Sequence, residues 1–256
     1  MYHSSSQQRP PGWISQVRLD ESNFVAEHTA RCQGAKLLGF AVRIDANRLI
    51  LHERTFNQMM RNSGVGQAGI GGAKKDQYMM PIQHPVPETI SPQGMGSECM
   101  PRLGFKIEMN RENNIGGFNV YKYQRNNQIL GGAAAESYTL ADLDLTKTEP
   151  VGCTLYGWTL LPMNGKAQGN SMRFAHIELD KVSCENHNSM CKFKPKHRVG
   201  GSVCSNDIGL PVVCGPSRKV HYVVGPPLPG GGCQPMGPNA IFTTYSIADI
   251  MSGVRL

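Results

Sequence analysis

The chain has 256 residues, of which 39% are hydrophobic and 18% are charged, and its formal net charge is +7. A chain of this length buries a sizeable core and suits one two-barrel unit or two small domains, of which we favour one domain with a long insertion. No segment approaches the roughly 18 consecutive apolar residues that a membrane-spanning helix needs. The 29 glycines and 17 prolines, with few helical periods, predict a turn-rich β protein.

The first half of the chain contains a tail, two recognisable strands and a segment of different composition. Residues 1–12 are polar and predict a disordered tail; they lack the apolar core of a signal peptide, so we infer that a leader is missing from the start. Trp13–Leu19 is expected to begin the folded part of the chain, and Arg48–Leu51 reads as a core strand. From 62 to 101 the composition shifts to Gly, Pro, Met and Gln, which predicts an insertion or a mobile loop.

The second half shows clearer alternation. Leu103 resumes the period-two pattern, and the segments Phe118–Tyr123 and Phe174–Leu179 alternate as strands with one buried face do. Asp142–Asp144 fits an extended connection.

The densest cationic run surrounds Phe193. It is typical of a solvated loop, but it could also bind sulfated sugars, nucleic acid or an acidic protein surface. Its cations are Lys192, Lys194, Lys196 and Arg198. Overlapping it, Cys184, His187, Cys191 and His197 have the ligand types of a zinc site, but we favour a disulfide between the two cysteines.

Four segments together resemble the trypsin-like serine proteases. Cys204–Cys214, which reads Cys-Ser-Asn-Asp-Ile-Gly-Leu-Pro-Val-Val-Cys, is similar to that family's nucleophile segment. Cys153–Trp158, Met190-Cys191 and Ala240–Thr243 are similar to its other landmarks, so the resemblance covers roughly residues 117–251. It implies an all-β fold of two antiparallel six-stranded β-barrels with a short C-terminal helix. The trypsin-like domain would span 13–256, with barrels at about 13–149 and 150–256.

The resemblance also implies a disulfide frame. The implied pairs are Cys153–Cys214, Cys184–Cys191 and Cys204–Cys233. Such a frame argues for an oxidising compartment, and therefore for a secreted, extracellular protein. Whether Cys32 and Cys99 bond each other stays open.

The segment that resembles the nucleophile site lacks the expected chemistry. Ile208 occupies the nucleophile's place, and an isoleucine side chain can neither attack a carbonyl nor hold a proton. Asn206 stands where the family has the oxyanion glycine, and Asp207 matches the aspartate that pairs with a new N-terminal amine. Ser202 would form the floor of the specificity pocket, which would not select basic residues.

The other two members of a catalytic triad are harder to place by resemblance. Counting from Cys32 puts the histidine position near Asn47, whereas aligning the strand puts it at His52 or Arg54, so His52 is the only candidate base. The aspartate position falls at 117–119, where Asn119 is polar but no carboxylate occurs.

These observations predict a secreted, non-catalytic serine protease homologue that acts by binding in an extracellular proteolytic pathway. Its partner would be an extracellular protein, such as an active serine protease or its substrate, and neither a cofactor nor a metal is expected. One alternative is an unusual serine-type hydrolase that uses His52 as base. A third hypothesis is a polyanion-binding effector that works through the cationic run.

Overall fold

The computed structural model describes residues 13–19, 36–45, 48–62, 77–83, 103–109, 114–125, 140–160, 172–197, 202–204, 207–226, 233–235 and 240–252. These residues form two closed barrels, each of six antiparallel strands, and a short helix follows the last strand. The fold class that the resemblance implies is therefore confirmed. None of the helices in the described ranges has the length and apolar character required to cross a membrane.

The first barrel is built from the N-terminal strands. Its strands, in chain order, are β1 (Ile14–Leu19), β2 (Lys36–Arg43), β3 (Arg48–His52), β4 (Gln77–Gln83), β5 (Leu103–Met109) and β6 (Phe118–Arg125). Around the barrel the order is β1-β2-β3-β6-β5-β4, and pairing of β1 with β4 closes it. Helix α1 (Glu53–Asn62) follows β3 directly, and its Phe56 ring lies 5.2 Å from that of Tyr121.

Strand β4 corrects the expectation of an insertion over residues 62–101. Gln77–Gln83 lies inside that range, yet it pairs with β1 on one side and β5 on the other. The composition of a forty-residue window conceals it, because Tyr78, Met80 and Ile82 follow a period of two over only seven positions, and the apolar Met79 interrupts the alternation. Residues 63–76 and 84–101 lie outside the described residues.

The second barrel uses the C-terminal strands. Six strands form it: β7 (Thr154–Leu160), β8 (Met172–Glu185), β9 (Met190–Pro195), β11 (Pro211–Cys214), β12 (Lys219–Val224) and β14 (Phe242–Ser246), in the spatial order β11-β12-β14-β9-β8-β7. Two short strands, β10 (Ser202–Cys204) and β13 (Cys233–Pro235), pair beside it. Helix α2 (Ile247–Met251) begins at the N-cap Ser246, whose hydroxyl accepts the Asp249 N–H.

The connection between the barrels runs along the second barrel, as expected for Asp142–Asp144. Val220 donates its N–H to the Asp142 carbonyl at 2.8 Å, and Asp144 donates its own to the Val220 carbonyl at 3.0 Å. The Asp144 carboxylate then bonds Nε2 of His221 at 2.9 Å. These contacts hold the connection against β12.

Two of the three implied disulfides are present. Cys153 is bonded to Cys214 and Cys184 to Cys191, so the zinc alternative at Cys184 and Cys191 is wrong. The backbone pairing of β10 with β13 places Cys204 directly opposite Cys233. That third bond stays a prediction, which peptide mapping without reduction would test, and Cys32 and Cys99 lie outside the described residues.

Candidate functional site

Ile208 lies at the junction of the two barrels with its side chain inside the core. The residue is 1% exposed and belongs to a cluster of buried apolar side chains that both barrels supply. Its carbonyl accepts the Phe40 N–H at 2.8 Å, and the next N–H, from Gly209, is donated to the Val224 carbonyl at 2.9 Å. Residue 208, which the resemblance aligns with the nucleophile, is therefore held by backbone bonds to both barrels, and its side chain contributes packing.

Gly209 makes this junction possible. Its φ is +91°, and a Cβ at this position would lie 2.2 Å from the Phe40 carbonyl oxygen. A backbone atom cannot move away as a flexible side chain can, so any larger residue would force the two barrels apart here. Gly209 is thus required for packing as well as for its backbone conformation.

His52 ends β3 and is buried, with both ring nitrogens bonded. Nδ1 accepts the Arg54 N–H at 3.0 Å, so the ring proton is on Nε2, which donates to the Gly116 carbonyl at 3.1 Å. The ring also meets Phe118 edge-on, with 4.8 Å between centroids. This arrangement fixes a neutral tautomer and leaves no ring lone pair for proton abstraction.

Burial dominates the protonation of His52 and gives the protein a pH dependence. Desolvation is the largest influence and lowers the pKa of His52 below its usual 6.5, and burial also lowers the pKa values of His176 and His221. The unfolded chain therefore binds protons more readily than the folded one. The free energy of unfolding is at its full value above pH 6.5 and declines as the pH falls through 6.5 towards the pKa values of the folded state.

We expect the urea midpoint of the protein to drop between pH 7.5 and pH 5, and to drop less in His52→Gln. A midpoint that rises on acidification would contradict this.

The region expected to hold the triad aspartate offers no carboxylate to His52. A Cβ on Gly117 would lie 2.3 Å from His52 Nε2, so the imidazole itself fills the space that a side chain at 117 would need. Asn119 is 3% exposed, and its amide oxygen has no hydrogen-bond partner among the described residues. Since successive residues of a strand face opposite sides, Asn119 lies on the face of β6 away from Phe118 and His52. The structure does not bring Asn119 and His52 together.

Tyr245 is a site residue that sequence reasoning missed. It comes from β14 of the second barrel and its ring packs 6.0 Å from that of Phe118 in the first. A Cβ on Gly116 would lie 2.3 Å from this ring, and a Cβ on Gly225 would lie 2.5 Å from it. Tyr245 therefore fills the space between the barrels beside His52. Two adjacent glycines, 116 and 117, indicate in the sequence that other side chains pack against the backbone at this point.

The cationic run is a strand rather than a loop, which corrects the sequence-based interpretation. Lys192 and Lys194 lie in β9, where they alternate with buried Cys191, Phe193 and Pro195. Lys196, 52% exposed, follows the strand. The pattern was missed because lysines outnumber apolar residues in it. Arg198 and Asn206 lie outside the described residues, and only the backbone of Ser202 is described.

The fold is similar to that of solved trypsin-like structures. No protein-family model matches the sequence, and no curated protein matches it. Among solved structures, mouse neuropsin, a serine protease, is 10% identical with a TM-score of 0.51, over 95% of this chain and 92% of that one. A mutant of human heparin binding protein is 13% identical with a TM-score of 0.50, over 98% of this chain and 93% of that one. With its two six-stranded barrels and C-terminal helix, the chain thus has the trypsin-like serine protease fold.

Proposed function

We propose that this protein is a secreted, non-catalytic relative of the trypsin-like serine proteases and acts by binding, as a regulatory component of an extracellular proteolytic pathway. The observation that carries the proposal is Ile208, which stands at the nucleophile position and is 1% exposed. A nucleophile has to reach a substrate carbonyl from the surface of the cleft, whereas this side chain points into the core.

The other two positions that the resemblance aligns with the catalytic triad support the same conclusion. A general base needs a lone pair directed at the proton it removes, and both nitrogens of His52 are already bonded to backbone groups. Asn119 cannot orient a histidine as a carboxylate does, and it faces away from His52. The alternative of a residual hydrolase based on His52 therefore has little support.

Secretion is supported by the disulfides. The structure contains the disulfides Cys153–Cys214 and Cys184–Cys191. Disulfides persist in oxidising compartments and are rare in proteins of reducing ones. In that setting the partner would be an extracellular protein, either an active serine protease or its substrate. This chain would act as a scaffold for the protease, or would compete for the substrate or present it. Affinity capture from the native fluid would identify it.

The cationic run alone gives weaker support for a polyanion-binding role. Lys192 pairs with Glu185 at 3.2 Å, Lys196 lies 3.6 Å from Glu178, and Lys194 is opposite Asp180 in the strand register. Each of these lysines thus has an acidic neighbour, so the run by itself offers little net positive charge.

A covalent probe tests the proposed function. We expect the purified protein to show no labelling by a fluorophosphonate and no hydrolysis of peptide esters or amides above the buffer rate, under conditions in which trypsin is fully labelled. Labelling of the native protein that disappears in His52→Ala would contradict the proposal and support the hydrolase alternative. Labelling that survives His52→Ala would identify a reactive group outside the site.

A further inference from the structure

Arg218 adopts a backbone conformation that arginine rarely takes. It lies in the turn between β11 and β12 with a φ of 54°, and its N–H donates to the Gly215 carbonyl at 3.2 Å. Glycine and asparagine enter this left-handed region at less cost than arginine does. The backbone conformation of the turn therefore disfavours an arginine, and the contacts of the guanidinium have to compensate for its cost.

The guanidinium of Arg218 is held against β7. Nη1 donates to the Thr154 hydroxyl at 3.1 Å, Nη2 donates to the Tyr156 hydroxyl at 3.4 Å, and Cζ lies 5.8 Å from the Tyr156 ring centroid. In the part of the chain that the structure describes, Arg218 forms no ion pair with a carboxylate. The result is an exposed positive charge that hydrogen bonds hold in position.

The Tyr156 ring, over which Arg218 lies, is itself part of a stack of aromatic rings. Tyr156 lies directly opposite His176 on β8, and the two rings are parallel within 3° at a centroid distance of 4.2 Å. Trp13 stacks on Tyr156 at 6.3 Å. Desolvation, and then the charge of Arg218, lower the pKa of His176, so the guanidinium and the imidazole lie close enough to interact. The stacked rings thus form the surface on which the guanidinium lies.

The lysines of the cationic run share this surface. His176 and Glu178 are exposed and alternate with buried Ile177 and Leu179, which places them on the outer face of β8. Lys196 bonds Glu178 through its backbone N–H at 2.9 Å and approaches its carboxylate at 3.6 Å. Exposed ion pairs of this kind are weak, so an incoming anion can replace the glutamate at little cost.

We propose that Arg218 anchors a binding site for the sulfate groups of a sulfated polysaccharide, which lies across the outer face of β7, β8 and β9 towards Lys196 and Lys194. Arg218 lies beside β7 at one side of this face and the lysines of β9 lie at the other, and charges spaced in this way suit a linear polymer with repeated charges. The choice of a sulfated polymer rests on the secretion assumed in the proposed function. Binding of the polymer does not depend on whether the protein is catalytic, so a failure of this proposal and a failure of the proposed non-catalytic function can be told apart.

Heparin binding by two matched single variants tests the site. Arg218→Asn removes the guanidinium but keeps a residue that tolerates the left-handed turn, and Lys219→Gln removes the same charge from the adjacent residue, which lies 3.9 Å from Asp142. We expect Arg218→Asn to weaken heparin binding about ten-fold at low salt. The effect should almost vanish near 0.5 M salt, where the screening length is about 4 Å.

The control should change binding much less. Equal losses in Arg218→Asn and Lys219→Gln would show that only net charge matters and would overturn the proposal, provided both variants unfold at the wild-type urea midpoint. Heparin that lacks its sulfates but keeps its carboxylates should bind only weakly. Undiminished binding of this desulfated polymer would overturn the assignment to sulfate.

Discussion

Ile208→Ser is expected to give a protein that is destabilised by about 3–5 kcal/mol and still has no hydrolytic activity. The stability loss follows from removing a fully buried branched side chain and placing a hydroxyl in an apolar core. The activity stays absent because the new hydroxyl would face the core, and because His52 has no nitrogen left to accept its proton. Urea unfolding and fluorophosphonate labelling measure the two effects.

Ile208→Val is the matched control for this experiment. It keeps the site apolar and should cost only about 0.5–1.5 kcal/mol. If the serine variant folds and is labelled at residue 208, the side chain at this position reaches the surface of the cleft, and the packing described here is wrong. If valine costs as much as serine, the shape of the isoleucine rather than the polarity of its replacement determines the loss.

Gly116→Ala is expected to destabilise the protein by about 2–4 kcal/mol, whereas Gly152→Ala should cost only about 1 kcal/mol. The two glycines have nearly the same φ, +58° and +59°, so the cost of a left-handed alanine is shared. They differ in the space around them, since a Cβ at 152 meets nothing within 4 Å and one at 116 meets the Tyr245 ring at 2.3 Å. The difference between the variants therefore measures overpacking between the barrels.

A double-mutant cycle with Tyr245→Ala tests the assignment of that difference. Once the ring is removed, Gly116→Ala should cost no more than Gly152→Ala does, which corresponds to a coupling of about 1–3 kcal/mol between residues 116 and 245. Additive losses in the double variant would show that the ring of Tyr245 does not limit the space at Gly116. Urea unfolding of the four proteins supplies the measurement.

The architecture was predictable because cysteines and their neighbours carry it in short segments. Two disulfides of the second barrel were predicted from the resemblance, and both are present: Cys153–Cys214 and Cys184–Cys191. Strand β4 was not predictable, because its alternation is short and its surroundings are rich in glycine and proline. The strand of Lys192 and Lys194 was misread because charge conceals a period-two pattern.

The site was harder to predict than the fold because its contacts join distant parts of the chain. Ile208 was identified from its own segment, but its burial depends on Phe40 and Val224. Likewise, nothing near His52 in the sequence indicates that the Gly116 carbonyl accepts a hydrogen bond from it, and the contact of Tyr245 with Gly116 spans the two barrels. Local patterns therefore located residue 208, and only the assembled barrels showed how it packs.

The disulfide between Cys153 and Cys214 also determines what a single cut in the chain does to the molecule. Their sequence separation is 61 residues, and the segment they enclose contains β7, β8, β9 and β10. One cleavage anywhere between Thr154 and Val213 yields two polypeptides that stay covalently joined. Such a nicked molecule keeps its full mass on a denaturing gel and separates into fragments only after reductant is added.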